Sequence, residues 1–207
     1  MGLRFDHLEA QVRVYDPAQC AVFWKTREKF GGLSNMASGY PLDVNGIRIR
    51  TSEALYQALR FPSRPDVQSI ILAEISPMTA KMKGKPFRDF TRPDWMNVRV
   101  PIMRWCLRLK LFQNWEKFGS ALRETGDLPI VEKKTKRADF WGAKFTNREE
   151  LVGPNILGRL LMELREEFLS LEQPPEVLEP LRIEDFCLLG RNIEPIQIRS
   201  KVRGSLL

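Results

Sequence analysis

The most informative segment of the chain reads Ser52-Glu53-Ala54-Leu55-Tyr56-Gln57-Ala58-Leu59-Arg60-Phe61. It predicts a helix, because Thr51 or Ser52 can act as the N-terminal cap and Glu53 then falls in the first turn. Tyr56 and Gln57 follow Glu53 by three and four residues, so the three side chains share one helical face. Such a mixture of polar and apolar residues is typical of a pocket that binds a sugar or nucleotide and performs acid–base chemistry.

The sequence on either side of this segment also has clear local signals. Before it, Leu42-Asp43-Val44-Asn45-Gly46-Ile47-Arg48-Ile49 predicts a β-hairpin with Asn45-Gly46 in a type I′ turn. After it, Ser76-Pro77 predicts the capped start of another short helix. Lys81 falls inside that helix, and Gly84 ends it.

The rest of the chain predicts further short strands and longer helices. Apolar residues at helical spacing indicate a helix over 102–112, which Pro101 either starts or kinks. Two more helices are predicted, over 115–124 and from Gly153-Pro154 onward. Short strands are predicted at 12–15, 21–24 and 128–132, and the last of these delivers Glu132.

Composition narrows the classes of function. The 207 residues, of which 43% are hydrophobic, suffice for one substantial core. His7 is the only histidine, and Cys20, Cys106 and Cys187 are odd in number and widely spaced. We therefore predict reduced thiols in a cytoplasmic protein with no metal site and no cofactor, so acid–base work falls on carboxylates or lysine. No apolar run approaches the length of a membrane span, and no secretory signal is evident.

The charge of the chain points to an anionic partner. The formal net charge is +7 and the pI is about 9.5, which favours a polyanion through long-range attraction. The run Lys133-Lys134-Thr135-Lys136-Arg137 lies between the candidate residues Glu132 and Asp139. It is interpreted either as a contact for phosphates or as a solvated loop.

Several motifs in a characteristic order carry a family resemblance. They are Leu33-Ser34-Asn35, Ser52-Glu53-(x)2-Tyr56-Gln57-Ala58-(x)-Arg60-Phe61, Ala80-Lys81-(x)2-Gly84-Lys85, Asp139-(x)-Trp141-Gly142, Gly153-(x)-Asn155-(x)-Leu157-Gly158-(x)2-Leu161-Met162 and Arg165. Together they resemble the NADAR (YbiA-like) family over residues 21–168. The resemblance implies an α+β, mostly helical single domain with a few short strands. We expect residues 1–170 to form this domain and 171–207 to be an extension for docking or partner binding.

The resemblance implies cleavage of an N-glycosidic bond without a metal. Members act on ADP-ribose linked to guanine or on riboflavin-biosynthesis intermediates, and some bacterial members are antitoxins that reverse ADP-ribosylation of DNA guanine. The basic charge favours the nucleic-acid substrate. The expected partners are ADP-ribosylated DNA or guanosine and a cognate DNA ADP-ribosyltransferase toxin, with no membrane. The alternatives are an N-glycosidase of riboflavin intermediates and a non-catalytic module that binds ADP-ribose or NAD.

Three residues are predicted to be catalytic. Glu53 and Asp139 are expected to stabilise positive charge on the sugar, activate water or protonate the departing amine. Lys81 offers a second route through a Schiff base, with Lys83 and Lys85 as neighbouring cations that favour its neutral amine. The alternatives are a first-turn carboxylate stabilised by the helix dipole for Glu53, a turn residue for Asp139 and a solvated lysine for Lys81.

The predicted substrate-binding residues follow from the same motifs. Trp95 and Trp141 are expected to stack on a base, Gly142 and Gly158 to permit close backbone approach, and the helix start at Asn155 to offer free amides to a phosphate. Their alternatives are core packing and an ordinary helix cap. The complete set is Ser34, Asn35, Tyr56, Gln57, Lys85, Trp95, Glu132, Trp141, Gly142, Asn155 and Gly158.

Two positions depart from the family pattern. The family often has an acidic–histidine pair where this chain has Glu53-Ala54, so a neighbouring polar contact is missing. It usually has arginine where this chain has Lys85, and a lysine does not bind phosphate in the bidentate manner of arginine.

Overall fold

Within residues 11–135, 139–147 and 149–198, the parts of the chain that the computed structural model describes, the backbone forms an α+β fold. Strands β1 to β11 are Arg13–Tyr15, Ala21–Phe23, Leu42–Val44, Ile47–Ile49, Ile130–Lys134, Ala143–Phe145, Leu151–Gly153, Val177–Leu178, Cys187–Leu188, Arg191–Asn192 and Ile196–Gln197. Helices α1 to α6 are Ser52–Ala58, Pro65–Ala73, Pro77–Lys83, Trp95–Gln113, Trp115–Arg123 and Ile156–Ser170. Short 3-10 helices span Pro17–Gln19, Gly31–Leu33 and Lys85–Phe90. The predicted fold class is confirmed.

The chain divides into two compact units, each built from two separate stretches. We call the described parts of 1–37 and 116–170 the sheet unit, and those of 38–115 and 171–207 the helical unit. The chain passes from the sheet unit to the helical unit after Ser170, and the helical unit also contains the central stretch 38–115.

The sheet unit is organised around strand β5. The five strands follow the order β1-β7-β6-β5-β2, with β5 parallel to both β2 and β6, whereas β7 is antiparallel to both β1 and β6. Helix α6 packs against β5. A core cluster of Tyr15, Val131, Ala143 and Leu151 lies on the sheet. Because side chains alternate along a strand, Glu132 and Lys134 point to one face of the sheet and Lys133 to the other.

The helical unit places α1 among α2, α3 and α4. The hairpin of β3 and β4 forms as predicted, with Asn45 and Gly46 at φ values of 53° and 79°. Positive φ at both central positions is the requirement of a type I′ turn, which asparagine and glycine tolerate best. Every residue of α1 is buried, so this helix is the centre of the unit.

Helix α4 differs from its prediction. It begins at Trp95 and not at residue 102, and Pro101 lies buried inside it. Proline lacks an N–H group, so the carbonyl of Asn97, four residues earlier, loses its helical partner. Asn97 is exposed, on the solvent side of the helix. The helix therefore continues through the proline.

Residues 171–198 form small strand pairs, β8 with β11 and β9 with β10, within the helical unit. The buried side chain of Gln68 donates to the carbonyl of Cys187 and accepts from the amide of Leu189. The indole N–H of Trp105 donates to the carbonyl of Glu179, at 2.9 Å. These contacts attach the C-terminal segment to the helices of this unit. Among the described residues, no helix is long and apolar enough to span a membrane.

Candidate active site

Glu53 is held in a buried position by the start of helix α1. The hydroxyl oxygen of Thr51 accepts from the amide of Ala54 and caps the helix, which leaves Glu53 in the first turn with only 6% of its surface exposed. Its Oε1 accepts from Nε2 of Gln57 at 3.0 Å, as the four-residue spacing predicts. The same oxygen lies 3.7 Å from Nζ of Lys81. A carboxylate, an amide and an ammonium group thus meet within the helical unit.

Lys81 reaches Glu53 from helix α3, which is capped by Ser76. Its side chain is 46% exposed. Lys83, predicted as a neighbouring cation, pairs through its Nζ with Glu74 at 3.5 Å. Residues two apart on a helix project in different directions. Lys81 itself contacts the Glu53 carboxylate.

Beyond Gln57, the polar contacts continue to Arg60 and Thr91. Oε1 of Gln57 accepts from Nη1 of Arg60 at 3.2 Å, and Nη2 of Arg60 donates to the hydroxyl of Thr91 at 3.3 Å. The guanidinium group also lies 5.2 Å from the ring of Trp95. Arg60 was not predicted as a site residue, although its place three residues after Gln57 in the same motif was a usable signal. It fixes the orientation of the amide that binds Glu53.

Aromatic rings line the same region. The rings of Tyr56 and Trp95 are tilted at 46° with centroids 5.1 Å apart, and Trp95 is half-buried. Burial raises the pKa of Tyr56 well above its usual value, and the negative charge of Glu53 raises it further. The pKa of the Cys106 thiol is raised by the same two causes. Both groups therefore keep their protons and are not alternative bases to Glu53.

Asp139 organises a second cluster, in the sheet unit. Its Oδ1 accepts from the amides of Trp141 and Gly142, at 3.0 Å each, which is the turn interpretation stated above. Its Oδ2 lies 3.6 Å from Nζ of Lys134, and that ammonium is 2.8 Å from Oε2 of Glu132. Lys134 thus joins the two carboxylates, and the spacing of Glu132 and Lys134 on β5 places both on one face.

Asn155 has a structural role that its motif did not reveal. Its side chain is fully buried, donates to the carbonyl of Ile130 and accepts from the amide of Glu132. The amides of residues 155, 156 and 157 donate to carbonyls of residues 142, 140 and 141. The prediction of free amides for a phosphate at this helix start is therefore wrong, because the Asp139 turn already occupies them.

Gly158 and Gly142 are close to backbone, as predicted, but the neighbouring backbone belongs to β5. A Cβ atom on Gly158 would collide with the carbonyl oxygen of Ile130, and one on Gly142 would lie 2.5 Å from that of Glu132. Glycine lets helix α6 and the Asp139 turn approach the strand at these points.

The remaining predicted residues lie at several places. In the sheet unit, Oγ of Ser34 accepts from the amide of Met36 at 3.2 Å, and Asn35 is 4% exposed. Trp141 packs edge-on against Phe140, with ring centroids 5.0 Å apart. In the helical unit, Lys85 is exposed at the start of a 3-10 helix. Lys136 and Arg137 of the basic run lie outside the described residues. In the part of the chain that the structure describes, no group of histidine, cysteine or acidic residues could hold a metal ion.

A family model, the NADAR domain, matches residues 22–169. The chain belongs to the NADAR domain family. The residues of this NADAR chain described above, from Ser34 to Gly158, all fall inside the matched range.

Curated relatives extend the comparison. The chain is 33% identical to N-glycosidase YbiA of Escherichia coli (strain K12) over 145 residues, which covers 70% of this chain and 86% of the relative. It is also 33% identical to riboflavin biosynthesis protein VVA0006 of Vibrio vulnificus (strain YJ016) over 147 residues, or 70% of this chain. The match spans only 37% of the length of that Vibrio protein.

A solved structure agrees with the family assignment. The NMR structure of the Escherichia coli protein YbiA matches with a TM-score of 0.60 and 30% sequence identity. The match covers 75% of this chain and 91% of YbiA. The α+β fold described above is therefore similar to that of an experimentally determined NADAR relative.

Proposed function

We propose that this NADAR chain is an N-glycosidase that removes ADP-ribose from guanine bases of nucleic acid. Membership of the family and the name of the YbiA relatives support the coarser part, hydrolysis of an N-glycosyl bond. The observation that carries the proposal is the buried carboxylate of Glu53, in contact with the Gln57 amide and 3.7 Å from the Lys81 ammonium.

The chemistry of the bond requires groups of this kind. Cleavage between the ribose anomeric carbon and the exocyclic amine of guanine develops positive charge on the sugar. A carboxylate stabilises that charge or takes a proton from the attacking water, and an acid protonates the departing amine. Because Gln57 donates to Oε1 of Glu53, the carboxylate has a defined orientation before substrate binds. Arg60 supports that orientation through the other end of the Gln57 amide.

Lys81 supports a covalent variant of the same reaction. When the ribose ring opens, its anomeric carbon becomes an imine to the guanine amine. The neutral Lys81 amine attacks that carbon, guanine leaves with its amine, and water then hydrolyses the lysine imine to release ADP-ribose and the free lysine. The nearby Glu53 carboxylate can accept the proton that the lysine must lose. The exposure of Lys81 lets a bulky substrate reach its amine.

In this proposal Asp139 contacts the substrate through only one of its two carboxylate oxygens. Its Oδ1 is engaged by the turn amides, so only the Oδ2 side, which faces Lys134, is offered to a substrate. The net charge of +7 supports a nucleic-acid substrate, and the antitoxin role with a cognate DNA ADP-ribosyltransferase is part of the same proposal.

A second candidate substrate is a riboflavin-biosynthesis intermediate. It is favoured by the names of two relatives, riboflavin biosynthesis protein VVA0006 of Vibrio vulnificus and the chloroplastic riboflavin biosynthesis protein PYRR of Zea mays, which is 32% identical over 161 residues. The chain spans 25% of the length of that maize protein.

One experiment compares both substrates. The purified chain is incubated with an oligonucleotide carrying ADP-ribosylated guanine and, separately, with a phosphoribosylamino riboflavin precursor. The masses of the products are then measured by mass spectrometry. Release of ADP-ribose, with recovery of the oligonucleotide carrying unmodified guanine, supports the first proposal. Cleavage of the precursor alone contradicts it and supports the second. Glu53→Gln serves as the inactive control and Glu74→Gln as its matched control, because Glu74 also pairs with a lysine of α3.

A further inference from the structure

The sheet unit has an exposed aromatic and basic surface that the proposed reaction does not use. We name it the Trp24 surface and define it by Trp24, Lys25, Lys133 and Phe145. Trp24 and Phe145 are 41% and 37% exposed. Such large rings are usually buried, because burial removes their apolar area from water.

Lys133 joins the two rings. Its Nζ lies 5.1 Å from the ring centroid of Trp24 and 4.8 Å from that of Phe145. The Nζ of Lys25 lies 4.3 Å from the Trp24 ring as well. An ammonium group near an aromatic face is attracted by the electrons of the ring, so these contacts hold positive charge beside the exposed rings.

The sheet register produces this arrangement. β2 and β5 pair in parallel with Phe23 opposite Glu132, so Trp24 follows beside Lys133. β5 and β6 pair with Lys133 opposite Ala143, and Phe145 is two residues further along the same face. Glu132 and Lys134 point to the other face. The Trp24 surface is therefore separate from the Glu132–Lys134–Asp139 cluster.

We propose that the Trp24 surface binds single-stranded nucleic acid outside the reaction site. Every base has a flat face that can stack on an exposed ring, and lysines beside the ring attract the phosphates that link successive bases. The carboxylate paired with Lys25, that of Glu28, lies 3.6 Å from it and is itself exposed, so it can yield to a phosphate. This inference rests on the proposed nucleic-acid substrate and states how the polymer is held.

The test measures binding, without any turnover. A short fluorescent oligothymidylate is titrated with the full chain, and anisotropy is followed at several salt concentrations. Oligothymidylate contains no guanine, so the probe reports binding to the Trp24 surface and not recognition of the modified base. We expect Trp24→Ala and Phe145→Ala each to weaken binding about tenfold, the usual size of a lost stacking contact. We expect Lys133→Gln to lower the steepness of the salt dependence by about 0.7 per lost phosphate contact.

Matched variants distinguish binding at the Trp24 surface from the effect of removing any exposed ring or charge. Phe90 is also an exposed ring with a cation over it, Arg64 at 4.3 Å, but it lies in the helical unit. Phe90→Ala should leave oligothymidylate binding unchanged, and Lys117→Gln, which removes an exposed charge on α5, should leave the steepness of the salt dependence unchanged. Trp24→Phe keeps a flat ring and should retain most of the affinity, with melting temperature confirming that each variant folds.

The outcomes that overturn the inference are distinct from those that overturn the proposed function. Equal binding by Trp24→Ala and the unsubstituted chain, or equal affinity for oligothymidylate and a duplex of the same length, shows that bases do not stack here. Binding of an acidic peptide in preference to oligothymidylate would make the surface a protein contact. Failure of the proposed function is seen in a different measurement, as no release of guanosine and ADP-ribose from ADP-ribosylated guanosine by the unsubstituted chain.

Discussion

Oε1 of Glu53 lies 3.7 Å from Nζ of Lys81, although the Glu53 side chain is 8% exposed and the Lys81 side chain 46%. The buried partner is oriented by Gln57, whereas the exposed partner can move. A fixed carboxylate beside a movable amine suits either proposed route, and the routes differ in what they require of the lysine.

Glu53→Gln should keep the fold and lower turnover of ADP-ribosylated guanosine by about a hundredfold or more, because a neutral amide neither stabilises sugar charge nor accepts a proton. The measurement is the initial rate of guanosine release, with the melting temperature as a check on folding. Glu74→Gln, the matched control, should remain active. A folded Glu53→Gln protein with a normal rate would remove Glu53 from the mechanism.

Lys81 should be trapped as a covalent adduct if the imine route operates. Borohydride reduces an imine to a stable amine, so enzyme, ADP-ribosylated guanosine and borohydride should together add the mass of an ADP-ribosyl group to Lys81. Lys81→Arg keeps the charge but forms no Schiff base and should be nearly inactive. Lys83→Arg, on the same helix but paired with Glu74, should be trapped normally. No adduct, together with good activity of Lys81→Arg, would leave direct hydrolysis in which Glu53 activates the water.

Turnover should continue in excess EDTA. The chain has a single histidine and three widely spaced cysteines, a poor donor set for zinc or for an iron centre. The rate is compared before and after chelation, and again after a divalent ion is added back. Activity that disappears with EDTA and returns with the ion would contradict the metal-free prediction.

Asn155→Ala should lower stability more than substrate affinity. It leaves the carbonyl of Ile130 and the amide of Glu132 without their side-chain partner, at about 1–3 kcal/mol for each buried group. For a chain of this size, the melting temperature falls by about 2–4 °C per kcal/mol. Asn97→Ala, an exposed asparagine of α4, is the control. An unchanged melting temperature with a raised KM would instead support the binding role first predicted for Asn155.

Phe186→Ala should destabilise the helical unit, since its ring packs at right angles to that of Trp105 with centroids 5.0 Å apart. Truncating a buried phenylalanine costs about 3–5 kcal/mol. Denaturant unfolding measures the loss, and the exposed Phe90→Ala should change the unfolding free energy little. A small effect of Phe186→Ala would show that residues 171–198 contribute little to the stability of this unit.

Much of the local structure was predictable from the sequence. The Asn45-Gly46 turn, the caps at Thr51 and Ser76 and the contact of Glu53 with Gln57 all depend on residues within four positions of each other. Signals at this range are visible in the order of side chains alone. The same is true of the motifs that resemble the NADAR family, which the family model confirmed.

The tertiary structure alone decided which distant groups meet. Strands β6 and β7 have three residues each, which is too short for an alternation of apolar and polar side chains to be recognised in the sequence. They form because β5 and β1 offer hydrogen-bond partners to their backbones. Lys83 pairs with Glu74, and the Asn155 side chain is hydrogen-bonded to the backbone of β5, because packing brings together groups from different elements. The sequence by itself determined the local elements and the family, since those rest on neighbouring residues. Partner choice between distant side chains depends on how the elements pack, and no local pattern records it.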